Sequence, residues 1–316
     1  MSGASEIEIV VHEGLTSLGL PAFCRAVREA LDVAPSQLWL NLEGVKALDV
    51  AGLAVLSQAV RRAEARGVKI SILPSPTVYR ALLSARLLDE LPLEEIGAGP
   101  AVGAQQLPLD GAPAASQLVA SSGRLGLRPP TWEELETFGA WASDSLLDQM
   151  VGSHLLYLCR QVGPYHPDFV ARVVNDPAAL TLVVVPSESD GRPVGFVRLF
   201  DVHLPERLAF LETAIVHTRS LRAGWGIEAS RLALSWAMDA LEIRRVEAKV
   251  FAYNVISINA LRRNGFQQEG VLREAKTYGG QRWDILIFSI LEAEMRAQRL
   301  RDRFGSFAPW ETDARP

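Results

Sequence analysis

The stretch Leu221-Arg222-Ala223-Gly224-Trp225-Gly226-Ile227-Glu228-Ala229 places two glycines at the start of a predicted helix. A strand is predicted before it, over residues 208–216, and the helix itself over residues 226–241. Glycines here let backbone N–H groups approach a phosphate closely, and the positive end of the helix dipole favours the negative charge. The stretch therefore predicts an anion-binding loop between a strand and a helix.

Two further motifs and a closing hairpin follow this loop along the chain. The first motif is Asn254-Val255-Ile256-Ser257, the second is Arg263-Asn264-Gly265-Phe266, and the hairpin runs over residues 276–284. In this order, the motifs resemble the GNAT superfamily of N-acyltransferases. Within it, they are most similar to the branch of ribosomal-protein and N-terminal-amine acetyltransferases. The resemblance covers residues 123–294.

This resemblance implies acetyl-CoA or another acyl-CoA as co-substrate, and a primary amine of a protein, peptide or small molecule as acceptor. Leu221 departs from the family pattern, which has Gln or Arg there, and Arg222 could supply a charge to the pyrophosphate. Ser257 is also expected to cap the short helix that follows it. The residues assigned to the cofactor are Val216, Arg222, Ala223, Gly224, Trp225, Gly226, Ile227, Asn254 and Ser257.

The acceptor amine must lose a proton, and Glu212 on the predicted strand is the first candidate base, acting through water. His217 is the alternative, because a neutral imidazole accepts a proton near pH 7. Leu261 stands where many family members have a tyrosine that protonates the leaving thiolate. Either Tyr278 or Tyr253 takes that role, or the thiolate leaves without an acid.

The first part of the chain has an α/β pattern of its own. Residues 38–42 form a short apolar run typical of a buried strand, and residues 52–66 repeat apolar positions at helical spacing. Gly67 is placed to end that helix, and Ser75-Pro76 has the N-cap and first-turn residues of another. The pattern predicts strands at residues 6–11 and 68–73 as well.

The segments 38–45, 48–53 and 87–91 resemble the STAS fold of sulfate transporters and anti-sigma-factor antagonists, over residues 5–96. Val50 stands where signalling members have a phosphorylatable serine, and Asn41 where the family often has aspartate. The resemblance implies a docking module that binds a protein partner or a second copy of the chain, without phosphate control at Val50.

Composition narrows the class of protein. The net charge is −5, with 9 Lys/Arg against 12 Asp/Glu in residues 1–96 and 23 against 25 in the rest, so nucleic-acid binding is not expected. The two cysteines and five scattered histidines indicate neither a disulfide framework nor a metal site. With no signal peptide and no apolar run long enough to span a membrane, a cytoplasmic protein is expected.

Together these patterns predict an α/β protein of two domains, a small STAS-like sheet with helices followed by a GNAT-type mixed central sheet flanked by helices. The domains are expected at residues 1–96 and 124–297, with a linker at 97–123 and a tail at 298–316. Two functions stay open. The chain is either an acyl-CoA-dependent N-acyltransferase or a non-catalytic regulatory protein whose second domain binds CoA or nothing.

Overall fold

The computed structural model describes residues 6–95, 98–100, 104–109, 117–188, 190–216 and 224–311. The chain divides into two compact units, and each contains one main sheet with helices. The N-terminal unit comprises Met1–Ala114, Asn175–Ala178 and Ala308–Pro316, and the C-terminal unit comprises Ala115–Val174 and Ala179–Phe307.

The N-terminal unit alternates strands and helices. Its elements are β1 (Glu6–Val11), β2 (Gly14–Leu15), α1 (Leu20–Asp32), β3 (Gln37–Leu42), β4 (Ala47–Leu48), α2 (Val50–Ala65), β5 (Lys69–Pro74), α3 (Pro76–Ser84), a short 3₁₀ turn (Leu88–Glu90) and β6 (Gln105–Leu109). Within its described residues, four parallel strands form a sheet in the order β5-β3-β1-β6, and β2 pairs with β4. The predicted strands at residues 6–11, 38–42 and 68–73 are confirmed to within a residue.

Helix α2 begins two residues before its predicted start. The carboxylate of Asp49 caps it by accepting from the N–H groups of Ala51 and Gly52, at 2.9 and 3.0 Å. Gly52 is required for a close approach, because a Cβ there would lie 2.0 Å from the carbonyl oxygen of Leu15. The predicted stop at Gly67 is confirmed by its left-handed φ of 68°.

The expected linker at 97–123 contains a strand of the N-terminal sheet. Residues 105–109 form β6, which pairs in parallel with β1 from Ile7↔Gln105 to Val11↔Leu109. The low apolar content of this stretch is a poor guide, because the open edge of β1 offers backbone hydrogen bonds to any extended segment. Pro108 is tolerated because β6 is an edge strand.

The C-terminal unit is larger and has an eight-stranded sheet within its described residues, in the order β13-β14-β12-β11-β10-β9-β8-β7. Its strands are β7 (Ala120–Ser121), β8 (Leu125–Arg128), β9 (Leu180–Pro186), β10 (Gly195–His203), β11 (Leu208–Ile215), β12 (Arg245–Phe251), β13 (Gln267–Tyr278) and β14 (Gln281–Leu291). Its helices are α4 (Leu135–Ala142), α5 (Ser145–Val151), α6 (His154–Val162), α7 (Pro167–Val174), α8 (Trp225–Ala240), α9 (Val255–Arg263) and α10 (Glu292–Asp302).

The sheet is mixed, as predicted. Strands β11 and β12 pair in parallel, and the other described pairs are antiparallel. An aromatic cluster of Phe138, Trp141, Phe169 and Phe196 packs helices α4 and α7 onto β10, with Phe138 and Phe196 ring centroids 5.6 Å apart. This core holds the helical layer that faces the site described below.

The C-terminal boundary of the second domain differs from the sequence prediction. Helix α10 runs through Asp302, so the boundary expected at residue 297 falls inside a helix. The last residues, from Ala308, belong to the N-terminal unit.

Candidate functional site

Strands β11 and β12 separate before they end. Their parallel pairing stops at Phe210↔Glu247, although β11 continues to Ile215 and β12 to Phe251. Beyond Phe210, the side of β11 that faces β12 has no partner strand among the described residues. Because parallel strands end at the same sheet edge, this gap opens where α8 and α9 begin.

The N-terminus of α8 offers backbone donors. Gly224 is its N-cap, with a left-handed φ of 78° and no side-chain cap. The N–H groups of Ile227 and Glu228 both donate to the carbonyl of Gly224 at 3.1 Å. Among the described residues, the N–H groups of Trp225 and Gly226 have no acceptor. Two donors and the positive end of a helix therefore point out of this turn.

Gly226 holds this turn against the sheet. A Cβ on it would lie 3.2 Å from Cγ1 of Ile215. Its carbonyl accepts from the hydroxyl of Ser230 at 2.8 Å, and that hydroxyl lies 2.9 Å from Oγ1 of Thr213 on β11. The two glycines thus have separate roles: Gly224 permits the left-handed turn, and Gly226 permits close helix–strand packing.

Val216 is the predicted cofactor residue that directly follows β11. Its N–H donates to the carbonyl of Val194 at 3.0 Å, so this N–H is not available to a ligand. The predicted cofactor residues Arg222 and Ala223 and the alternative base His217 lie outside the described residues.

Glu212 lies in the separated part of β11, directly opposite Arg198 on β10. Its Oε1 is buried and accepts no hydrogen bond from the described residues. Burial raises the pKa of this carboxyl group, while a hydrogen bond from Ser153 and the charge of Arg198 act in the opposite direction. A buried carboxylate oxygen without a partner is costly, so this atom is suited to accept a proton or a hydrogen bond from a bound molecule.

Ser153 is a site residue that the sequence analysis does not identify. It is buried and caps α6, because its hydroxyl oxygen accepts from the N–H of Leu156 at 3.2 Å. The same hydroxyl interacts with Glu212 on β11. A serine before a helix signals a cap, but only the packing of α6 against β11 gives it a second role.

Asn254 and Ser257 form the start of α9. The cap is Asn254, not Ser257 as expected, since the Asn254 Oδ1 accepts from the N–H of Ser257 at 3.0 Å. The Asn254 amide group donates to the Met150 carbonyl and the Ser257 hydroxyl, each at 2.8 Å. Asn254 is 2% exposed. Its side chain therefore fastens α9 to α5 and has little hydrogen-bonding capacity left for a ligand.

Tyr278 lies in an aromatic cluster with Tyr253, which follows the C-terminal end of β12. Its ring centroid is 4.7 Å from that of Tyr253, which also contacts Trp283 at 5.3 Å. The Tyr278 hydroxyl donates to Oε1 of Gln149 at 3.0 Å, and the Tyr253 hydroxyl donates to the Gln149 carbonyl at 2.7 Å. Burial raises the pKa of Tyr253. Tyr278 is 37% exposed, so its hydroxyl group is the more accessible of the two.

Two family models match this chain, one in each unit. Residues 3–94 match the model described as the Mlab, STAS domain, and residues 124–267 match the acetyltransferase (GNAT) domain. The chain therefore carries an N-terminal STAS domain and a C-terminal GNAT acetyltransferase domain. The predicted two-domain resemblance is confirmed.

Curated relatives match shorter segments. The chain is 35% identical over 71 residues to an uncharacterized N-acetyltransferase of Bacillus licheniformis, which is 22% of this chain and 40% of the relative. It is 33% identical over 110 residues to the probable N-acetyltransferase YjcK of Bacillus subtilis, covering 34% of this chain and 59% of that protein. The chain thus spans about half the length of the curated relatives it matches.

Solved structures of acetyltransferases also align with this chain. The spermidine N-acetyltransferase of Vibrio cholerae, crystallised with CoA and spermine, aligns with a TM-score of 0.47 and 18% identity, over 55% of this chain and 98% of that one. A putative ribosomal-protein-serine acetyltransferase of Vibrio cholerae aligns with a TM-score of 0.41 and 21% identity, over 56% and 98%.

The described residues contain no group of three or more His, Cys, Asp or Glu side chains arranged to hold a metal ion. No helix in that part of the chain is long and apolar enough to cross a membrane.

Proposed function

We propose that the C-terminal unit transfers an acyl group, most simply acetyl, from acyl-CoA to a primary amine. The observation that carries the proposal is the conjunction of two features at one sheet edge. The start of α8 presents the N–H groups of Trp225 and Gly226, and the separated part of β11 carries Oε1 of Glu212, all three without a hydrogen-bond partner among the described residues. The GNAT family match over residues 124–267 supports the same chemistry.

The path of the substrate follows from which side of β11 each residue faces. Thr213 faces α8 through its contact with Ser230, whereas its neighbour Glu212 faces α6 through Ser153. Adjacent strand residues point to opposite sheet faces. The pyrophosphate would bind at α8, and the pantetheine arm would pass through the gap between β11 and β12 toward the Glu212 face.

The reaction in this arrangement is direct attack of the amine nitrogen on the thioester carbonyl carbon. Glu212, as the carboxylate, takes a proton from the amine through water. N–H groups on the side of β11 that faces the gap would stabilise the oxyanion. Collapse of the tetrahedral intermediate breaks the carbon–sulfur bond and releases CoA as thiolate.

Protonation of the thiolate falls to Tyr278 in this proposal. Its hydroxyl proton is held by the Gln149 side chain, which can rotate away. A thiol of pKa about 8.5 is a tolerable leaving group without help, so Tyr278→Phe should reduce the rate by about tenfold or less.

We propose an α-amine, or a similarly activated primary amine, as the preferred acceptor. An α-amine has a pKa of about 7.7–8.0, whereas a lysine side chain has about 10.4 and is almost fully protonated at pH 7. A single water-relayed carboxylate, without the family tyrosine at Leu261, favours the more easily deprotonated nucleophile.

The first experiment measures binding and turnover separately. CoA binding is measured by calorimetry, and thiol release from acetyl-CoA is followed with a peptide bearing a free α-amine, an α-blocked lysine peptide and a polyamine. Binding with turnover of the α-amine supports the proposal. Binding without turnover of any amine favours the non-catalytic regulatory function, and a clear preference for the lysine peptide overturns the acceptor assignment.

For the STAS domain we propose a docking role that does not depend on phosphorylation. Its α2 helix starts at Asp49-Val50, and Val50 has no hydroxyl group to modify. The Asp49 carboxylate is saturated by the N–H groups of Ser17, Ala51 and Gly52. Intact-mass analysis of protein recovered from cells tests this role: a phosphate on nearby Ser57 would contradict it.

A further inference from the structure

A short turn near the end of the chain belongs to the N-terminal unit. In Ala308-Pro309-Trp310-Glu311, the N–H of Glu311 donates to the carbonyl of Ala308 at 3.2 Å. Proline stands at the second position, where its fixed φ favours such a turn. The turn presents Trp310, which is 7% exposed. Because proline restricts the backbone of the unbound segment, less conformational entropy is lost on binding.

Helices α1 and α2 hold Trp310 by three different contacts. Its indole N–H donates to Oε1 of Gln58, and the Arg62 guanidinium lies 4.5 Å from the ring centroid. The Nη1 of Arg28 donates to the Trp310 carbonyl at 3.1 Å. The ring face, the ring nitrogen and the backbone carbonyl of one residue each have a partner from the STAS domain.

The burial of Gln58 indicates that the contact with Trp310 is specific. Gln58 is 3% exposed, whereas the other buried residues of α2 are all small or apolar. A buried amide needs hydrogen-bond partners, and the indole N–H supplies one of them. The residue after Trp310 is Glu311, and the helix face carries the cations of Arg28 and Arg62, so the charges are complementary.

We infer that the face of α1 and α2 around Gln58 is a binding site for a tryptophan-centred turn, and that the chain's own residues 308–311 are its ligand. This deepens the docking role proposed for the STAS domain and does not depend on the acyltransferase proposal. The domain is an intramolecular receptor for the C-terminal segment, and the face becomes accessible when the segment leaves.

The test vacates the site and offers the segment back in solution. A chain ending at residue 307 is mixed with a fluorescein-labelled peptide of residues 304–316, and binding is followed by fluorescence anisotropy. The shortened chain should bind the peptide saturably. The full chain should bind far more weakly, because its own segment competes at an effective concentration on the order of millimolar.

Matched variants separate the contacts. A peptide with Trp310→Ala should bind at least about thirty-fold more weakly, as for a buried aromatic hot spot. Trp310→Phe keeps an aromatic ring but loses the N–H, so the affinity of this peptide should lie between those of the native and Trp310→Ala peptides. In the shortened chain, Arg62→Ala should weaken binding, whereas Arg80→Ala, on α3 and bound to the Pro76 carbonyl, should not.

A full-length Trp310→Ala chain serves as the second vacated receptor if the shortened chain does not fold. Failure of both folded receptors to bind the peptide would overturn the inference, as would equal binding by the intact chain. CoA binding, measured in the same preparations, reports on the C-terminal unit separately. Loss of peptide binding with CoA binding intact therefore refutes the receptor site alone.

Discussion

Replacing Glu212 with glutamine removes the proposed base while keeping the side chain's size. The carboxyl Oε1 is buried without a partner among the described residues, so the substitution breaks no hydrogen bond at that atom. A general base contributes about 10²–10⁴-fold, and a base that acts through water belongs at the lower end. We expect kcat/KM to fall by about 10²-fold, or about 2.7 kcal/mol of transition-state stabilisation.

The pH profile distinguishes a base from a packing residue. Burial raises the pKa of Glu212, so the acid limb of kcat/KM should lie above the usual glutamate value of about 4.3. In Glu212→Gln that limb should disappear, and the loss of rate should shrink as pH rises and the amine deprotonates unaided.

The pH dependence of stability tests the same residue independently. When the pKa of a carboxyl group is higher in the folded than in the unfolded state, the stability that this group contributes is present at low pH. That contribution is lost as the pH rises through the folded-state pKa. The glutamine variant never ionises, so its Tm relative to the native chain should increase as the pH rises above about 4, where glutamate ionises in the unfolded chain. Calorimetry measures this difference.

The assay compares thiol release at pH 6–9 for the native chain, Glu212→Gln and Glu247→Gln. Glu247 is a carboxylate on β12 in the last residue pair before the gap, and its side chain accepts from Arg245 at 2.9 Å. It should leave the rate within about two-fold, as a surface-type change does. Native rates for Glu212→Gln across this range would refute the mechanism and direct attention to His217.

Three further outcomes are expected. Ser153→Ala removes a hydrogen bond that lowers the pKa of Glu212, so the acid limb of kcat/KM should move to higher pH. Ser153→Thr keeps the hydroxyl group and should leave the limb in place. An unmoved limb in the alanine variant would exclude Ser153 as a positioning residue. Gly224→Ala places a side chain at a φ of 78°, which costs about 1–2 kcal/mol, and should weaken CoA binding by about 5–30-fold in calorimetry. The control Gly191→Ala, also at a left-handed φ, should lower stability without changing CoA affinity. Equal CoA affinities of the two variants would remove the loop from the binding site. Asn254→Ala should lower the free energy of unfolding by about 2–4 kcal/mol, measured by denaturant unfolding. Asn254→Ser should lower it by less, because serine keeps a capping oxygen. A loss below about 0.5 kcal/mol in the alanine variant would contradict the role of Asn254 in fastening α9 to α5.

Local signals predicted much of the secondary structure. The helix start at Ser75-Pro76 and the stop at Gly67 rest on side-chain caps and a left-handed φ, which are properties of a few neighbouring residues. The same holds for the left-handed Gly224 before α8. The strand at residues 105–109, inside the expected linker, has the opposite origin. It forms because it pairs with the free edge of β1, which lies far away in the sequence.

The sequence by itself determined the two domain types, the strand–loop–helix order around Gly224, and Glu212 as a candidate base, because periodicity, caps and glycines act over short distances. Tertiary structure alone decided that Ser153 meets Glu212, that Asn254 fastens α9 to Met150, and that Trp310 returns to Gln58. Each of these contacts joins segments far apart in the chain. They form because a buried polar group must find a partner wherever packing brings one within reach.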